Sequence, residues 1–302
     1  MPVFRLRQLA VVAWVVVAGA ACRRAEPPRR AGVILDDFGA PVRFGGAAKR
    51  IVSLSPTTTE ILFAIGAGSR LVGRSQYDNF PDAARAVPNL GLALRPNVEA
   101  VLGATPDLVI LYASDDNRAA ANRLRAAGVP TVAFRIDSIE QFERDTRLIG
   151  RLTGDSAAAA AIVDSVSATL ERVRAATAGL PRPSVFIPSW DTPVIAIGGG
   201  SFITQLLHIA GARNIYDSVA APSVAVTLED VVRRNPDVVL ASPVALPRMR
   251  SSESWRAIAA VREGRLFAYD TVLVWRPSVQ LGAAARSLAM LLHPTVVIPE
   301  SR

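Results

Sequence analysis

Asn97-Val98-Glu99-Ala100-Val101-Leu102-Gly103-Ala104-Thr105-Pro106-Asp107-Leu108-Val109-Ile110 is echoed, far along the chain, by Thr227-Leu228-Glu229-Asp230-Val231-Val232-Arg233-Arg234-Asn235-Pro236-Asp237-Val238-Val239-Leu240. In both, a glutamate opens a short helical stretch, apolar residues follow two and three positions on, Pro-Asp begins seven on, and an apolar strand closes the unit. A second pair repeats in the same order: Ile61-Leu62-Phe63-Ala64-Ile65-Gly66-Ala67 and Leu206-Leu207-His208-Ile209-Ala210-Gly211-Ala212. Similarity in fixed order within one chain is the mark of a duplicated unit. The unit is too long for a solenoid repeat, so the pattern predicts two similar lobes, each with one matched glutamate.

Length and composition agree. A chain of 302 residues, half of them hydrophobic, is long enough for two domains with sizeable cores. The net charge of +8 raises the question of a nucleic-acid partner. Its distribution answers it: six arginines before residue 31, against Glu26, carry +5 of that total and leave +3 for the rest. No basic stripe with interleaved aromatics occurs, and Lys49 is the sole lysine, so nucleic acid is excluded as a partner.

Outward from the repeats, strands and helices alternate. Residues 50–54 read as a buried strand, followed by Ser55-Pro56 as cap and first helical position, with Thr57-x-x-Glu60 as a capping box. Strands are predicted from 71, at 108–112 and 131–134, with a helix over 117–127. In the second half the pattern predicts strands at 185–187 and 266–269, and helices over 202–210 and 281–292. Such alternation predicts an α/β fold with mostly parallel sheets covered by helices. Between the halves, residues 156–178 are alanine-rich and hold no Gly or Pro. Some 22 helical residues would span about 33 Å, a stiff bridge rather than a linker. The organisation expected is therefore an N-terminal lobe over 33–154, a bridging helix over 155–179 and a C-terminal lobe over 180–302.

The first 21 residues read as a secretory signal: Arg5 and Arg7, an apolar run over 9–18, then Gly19-Ala20-Ala21 before Cys22. Cys22, the only cysteine, follows those small residues as in a bacterial lipobox, although Gly19 stands where leucine is commoner. Lipidation at Cys22 is expected, with residues 22–32 as a solvated tether. One cysteine cannot make an internal disulfide.

Arg50-Ile51-Val52-Ser53-Leu54-Ser55-Pro56-Thr57-Thr58-Thr59-Glu60 resembles the opening of the substrate-binding proteins of cobalamin, siderophore and haem importers, the class III binding proteins with a helical backbone. The Pro-Asp-strand repeats, Gly-Gly-Gly-Ser-Phe at 198–202 and Leu-Leu-His-Pro at 291–294 are similar too, so the resemblance covers roughly residues 33–296. It implies two Rossmann-like lobes joined by one long rigid helix, little closure, and a ligand held between the lobes. It further implies an extracytoplasmic, membrane-anchored receptor for a corrinoid, or else for a ferric siderophore or haem. Such a receptor works as a monomer with an ABC permease dimer and its ATPase subunits, and needs no cofactor. In that family a glutamate on each lobe docks into permease arginines, a role that falls here on Glu99 and Glu229, which also read as helix N-terminal acids.

Ligand contacts are then expected in loops at the carboxyl ends of strands. On the first lobe these are Ser55, Pro56, Tyr77, Leu92, Ala93 and Tyr112; on the second, Trp190, Asp191, Leu273, Trp275 and Arg276. Tyr77 matches the aromatic that contacts cobalamin in the family, and Arg276 falls in its C-terminal contact segment. Ala93 departs from the pattern, standing where the cobalamin binder has tryptophan. Trp255 reads as a core anchor, His208 as a core or rim residue. The two histidines and single cysteine make no metal set. Gly198-Gly199-Gly200-Ser201 lacks a P-loop lysine and reads as a turn and N-cap. One glutamate per lobe is too far apart for a glycosidase pair, and no G-x-S-x-G elbow occurs. No enzymatic activity is expected, an extracytoplasmic hydrolase being the distant alternative.

Overall fold

The computed structural model describes residues 34–42 and 46–300. The signal segment, Cys22 and the tether lie outside them. A short antiparallel hairpin, β1 (Ile34–Leu35) and β2 (Pro41–Val42), comes first. The first lobe follows as β3 (Ile51–Leu54), α1 (Pro56–Ala64), β4 (Leu71–Arg74), α2 (Val98–Gly103), β5 (Leu108–Tyr112), α3 (Asp115–Ala126), β6 (Thr131–Phe134) and α4 (Ile139–Thr153). The bridge is α5 (Ser156–Thr177), 22 residues long. The second lobe runs β7 (Ser184–Phe186), β8 (Pro188–Asp191), β9 (Val194–Ile197), α6 (Phe202–Ile209), β10 (Arg213–Asn214), β11 (Ser223–Ala225), α7 (Leu228–Arg234) and β12 (Val238–Ala241). It ends with α8 (Leu246–Ser251), α9 (Glu253–Arg256), α10 (Ala259–Arg262), β13 (Leu266–Ala268), α11 (Thr271–Val274) and α12 (Leu281–Leu292).

The two parallel sheets have the same topology. The first is ordered β4-β3-β5-β6 and the second β10-β7-β12-β13. Counting parallel strands within each lobe, both read second-first-third-fourth, the doubly wound arrangement with its switch point between first and third strands. Duplication reaches the backbone. Gly66 and Gly211 take φ values of +85° and +77° after α1 and α6. The amides of Ala67 and Ala212 then reach back to the carbonyls of Leu62 and Leu207, both at 2.8 Å. Each is a Schellman closure, which needs a left-handed residue and so favours glycine. Thr105 and Asn235, both just before Pro-Asp, share φ near +45° (46° and 45°). The Asp of each Pro-Asp ties the third strand to the first. Asp107 accepts the amides of Lys49 and Arg50 ahead of β3, and Asp237 accepts the amide and hydroxyl of Ser184 in β7.

Both faces of each sheet are covered, so strands read as unbroken apolar runs. Ile51, Leu108, Ile110, Val185 and Leu240 point to one core that continues from lobe to lobe around α5. Their alternates, Val52, Val109 and Leu111, fill an outer core in the first lobe, as Phe186 and Val239 do in the second. Helix α5 buries Val166, Leu170 and Val173 at three- and four-residue spacing into the shared core.

Three readings change. The box Thr57-x-x-Glu60 does not form: Ser55 is the cap position and makes no side-chain cap bond, Pro56 sits in the first turn, and Glu60 is buried. Trp190 is not in a loop but on β8, part of an antiparallel sheet β11-β9-β8 that alternation of helices and strands did not suggest. Helix α3 starts at Asp115, two residues before 117. Trp255 is a core anchor, 6% exposed and stacked on Phe186. Gly198 to Gly200 lie against the carbonyls of residues 217–221, and Ser201 caps α6 by accepting the Ile203 amide.

Candidate functional site

At the switch point of the first lobe, β3 leads into Ser55 and Pro56 at the start of α1, and the adjacent strand β5 ends at Tyr112. Two buried polar residues hold the loops there, and the sequence reading missed both. Asp78, fully buried, accepts from the hydroxyls of Thr59 at 2.7 Å and Ser75 at 2.6 Å, and from the Ser75 amide. Burial pushes its carboxyl upward, against those hydrogen bonds. With Asp78 pinned inward, its neighbour Tyr77 faces water and is 54% exposed. Asn117, equally buried, donates to the carbonyls of Ala93 and Tyr112 and accepts the Arg95 amide. That staple presents Leu92, 50% exposed, and Leu94 beside Ala93. The Tyr112 hydroxyl donates to Asp137 at 2.8 Å, and burial together with that carboxylate raises its pKa.

On the second lobe, the hairpin of β8 and β9 carries Trp190 to the rim. Its indole N–H donates to the Thr192 carbonyl at 2.8 Å, and the side chain is 61% exposed. Asp191 pairs with Arg248. Trp275 donates to the hydroxyl of Tyr269, whose pKa burial pushes up to about 12. Trp190, Asp191, Ser242, Arg248, Tyr269 and Trp275 border a hollow of about 460 Å³. Leu273 packs into the shared core instead, with Val272 turned outward. Arg276 is engaged by Glu60 of the first lobe, 3.0 Å away, and Gln280 donates to the same carboxylate at 3.1 Å. Burial drives the Glu60 carboxyl upward, opposed by hydrogen bonds from Ser278 and Gln280 and by the Arg276 charge.

Of the twelve large apolar side chains exposed among the described residues, seven belong to these loops and hairpins: Tyr77, Phe80, Leu92 and Leu94 on one lobe, Trp190, Val244 and Val272 on the other. Trp190 and Val244 line one hollow, and contiguous exposed apolar surface is the kind that marks a binding site. The lobes meet beside it, through Glu60 with Arg276 and through the Phe202 amide on the Asp137 carbonyl. A larger hollow of about 560 Å³ lies between α4, α5 and α6. It is lined by Glu140, Glu143, Glu171, Arg174, Arg182 and His208, with no Phe, Tyr or Trp side chain. His208 is exposed with Nε2 2.9 Å from Asp217, and His293 is buried after α12.

Helices α2 and α7 each feed the third strand of a lobe, running against it, so their amino ends lie toward the carboxyl edge of the sheet. Glu99 and Glu229 occupy those first turns, exposed. Their own backbone amides hold both carboxyls below the usual range, aided at Glu99 by Arg123 and at Glu229 by the Thr227 hydroxyl.

The architecture is two doubly wound lobes joined by one 22-residue helix, with exposed aromatic side chains on each lobe. The chain belongs to the periplasmic binding protein family, whose model matches residues 51–273. It is thus an extracytoplasmic substrate-binding protein of the ABC importer type and not an enzyme. A vitamin B12-binding protein of Vibrio vulnificus is 24% identical over 231 residues, covering 76% of this chain and 85% of that protein. An uncharacterized ABC transporter substrate-binding lipoprotein of Bacillus subtilis is 28% identical over 257 residues, 82% of this chain and 80% of its own length. The fold matches an apo periplasmic heme-binding protein of Roseiflexus with a TM-score of 0.73 at 23% identity, over 83% of this chain and 99% of that chain.

Proposed function

We propose that this protein is a lipid-anchored receptor that binds a corrinoid between its lobes and delivers it to an ABC permease dimer driven by its ATPase subunits. What supports the reading is exposed apolar surface on both lobes, Tyr77 and Leu92 on the first and Trp190, which shares a hollow with Trp275, on the second. A broad macrocycle gains most from rigid rings, which bury large apolar area at small entropic cost. Relatives named as vitamin B12-binding proteins support the ligand class. The substrate-binding lipoprotein of Bacillus subtilis supports the anchor at Cys22. Glu99 and Glu229 dock into permease arginines, one carboxylate per lobe. Titrating the purified protein with cyanocobalamin, haem and ferric siderophores, followed by tryptophan fluorescence, tests the reading. Tight binding of cyanocobalamin is expected. Tight binding of a siderophore or haem alone would replace the corrinoid by that ligand.

A further inference from the structure

An anionic ligand is held by arginines, and two stand at the hollow or directly after a residue that lines it, but each is already matched. Arg248 borders the hollow and pairs with Asp191, while Arg276 follows Trp275 and pairs with Glu60. The acids are the more deeply placed partners. The side chains of Asp191 and Glu60 are 12% and 0% exposed, against 61% and 22% for their arginines. Placing a carboxylate under an arginine costs desolvation and is sustained only by good pairing. Here Glu60 also accepts from Gln280 across the lobe boundary, so its position is fixed from two directions. The remaining arginines near the rim are engaged too. Arg95 is 2.7 Å from Asp116, and Arg74 is buried with its guanidinium on the carbonyls of Val87 and Ser75. A polyanionic chelate entering this groove meets ion pairs, whose fields largely cancel, rather than unmatched positive charge.

We infer that Asp191 and Glu60 are specificity-determining residues that cancel the groove's two arginines, so that it takes a large ligand without net negative charge and rejects polyanionic chelates. The inference deepens the proposed function, resting on its placement of the ligand between the lobes but not on the ligand being a corrinoid. Both acids act through their arginines rather than on the ligand.

The test measures dissociation constants by calorimetry for cyanocobalamin, a neutral ferric trihydroxamate, haem with its two propionates, and a trianionic ferric tris-catecholate. The proteins are the full mature chain, Asp191→Asn, Glu60→Gln, Glu60→Asp, and the double variant Asp191→Asn with Arg248→Gln. Each neutralising variant releases one arginine, and a new charge-assisted contact should shift the anionic-to-neutral affinity ratio about tenfold or more toward the anion. Glu60→Asp, which keeps the charge, should retain the wild-type ratio, and the double variant should return to it. A change of packing alone would not follow charge in this way. An unchanged ratio in both folded neutralising variants overturns the inference, as does a wild type that prefers the tris-catecholate. Binding of the neutral trihydroxamate without cyanocobalamin would end the corrinoid reading and uphold this one. If the wild type binds no probe, binding of the tris-catecholate gained by either variant still upholds it, and no gain overturns it.

Discussion

Replacing Trp190 by alanine separates a ligand wall from a structural tryptophan. The side chain is 61% exposed in the unliganded protein. A tryptophan presents roughly 250 Å² of surface, so about 150 Å² of this one is in contact with water. A ligand covering half of that removes about 75 Å², and at about 25 cal/mol per Å² the loss on truncation is about 2 kcal/mol, or a roughly thirtyfold weaker Kd. Calorimetry is the assay, because the substitution removes one of the three tryptophans after Cys22 that report by fluorescence. The melting temperature of the unliganded variant should stay close to wild type, since surface substitutions away from core and caps cost little. Trp255→Ala supplies the contrast: that ring is 6% exposed against Phe186, and its loss should cost about 3–5 kcal/mol of stability. Wild-type affinity in Trp190→Ala, or a fall in its melting temperature like that of Trp255→Ala, would refute the reasoning.

Glu99→Ala and Glu229→Ala should each reduce uptake in vesicles, and together nearly abolish it, with the ligand Kd in solution unchanged; weakened ligand binding would put the carboxylates in the groove. Cys22→Ala should move the processed protein from washed membranes to the soluble extracytoplasmic fraction, because acyl chains contribute about 0.8 kcal/mol per buried CH₂. Burial raises the Asp145 carboxyl from 3.8 to about 6, despite Arg144. A raised carboxyl adds stability that is complete below its unfolded value and lost as pH rises through its folded one. Urea midpoints should therefore fall between pH 4 and 7 by an amount equivalent to about 3 kcal/mol, and less so in Asp145→Asn. Gly199→Ala would place a Cβ 2.0 Å from the Asp217 carbonyl oxygen, and should lower stability by about 2 kcal/mol or more in a thermal melt.

Where sequence reading succeeded, the signal was local or repeated. The bridge of α5 declares itself by twenty-odd residues without Gly or Pro, and the lobes by Pro-Asp motifs whose aspartates turn out to tie strands together. Failures share a different cause, partners distant in sequence. Glu60 looks like a capping acid until Gln280, 220 residues away, and Arg276 are placed beside it. Arg276 and Asp191 carry the right charge for ligand contact, yet each is committed to a protein partner. The antiparallel pairing of β11 with β9 likewise joins segments separated by α6 and β10, with no short hairpin signal to show it. Asp78 and Asn117 hold these loops from beneath; Asp78 leaves only the trace of a polar residue next to a water-facing Tyr77, and Asn117, between Asp116 and Arg118, leaves none.

The duplication itself points to where function resides. Switch-point order, Schellman closures, left-handed residues before Pro-Asp and first-turn glutamates all agree between the lobes. Structure that agrees serves both halves alike and can be explained by folding. What differs includes the segments that bear the exposed rings. The first lobe inserts the long segment 75–97, which bears Tyr77, Leu92 and Leu94, and the second adds the β11-β9-β8 sheet, which bears Trp190. An asymmetric ligand needs two unlike walls, and a duplicated scaffold supplies them only by diverging where the ligand touches. The shared core around α5 and the Glu60 tie to Arg276 and Gln280 meanwhile bind the halves together, so recognition depends on walls already in place more than on closure of one lobe over the other.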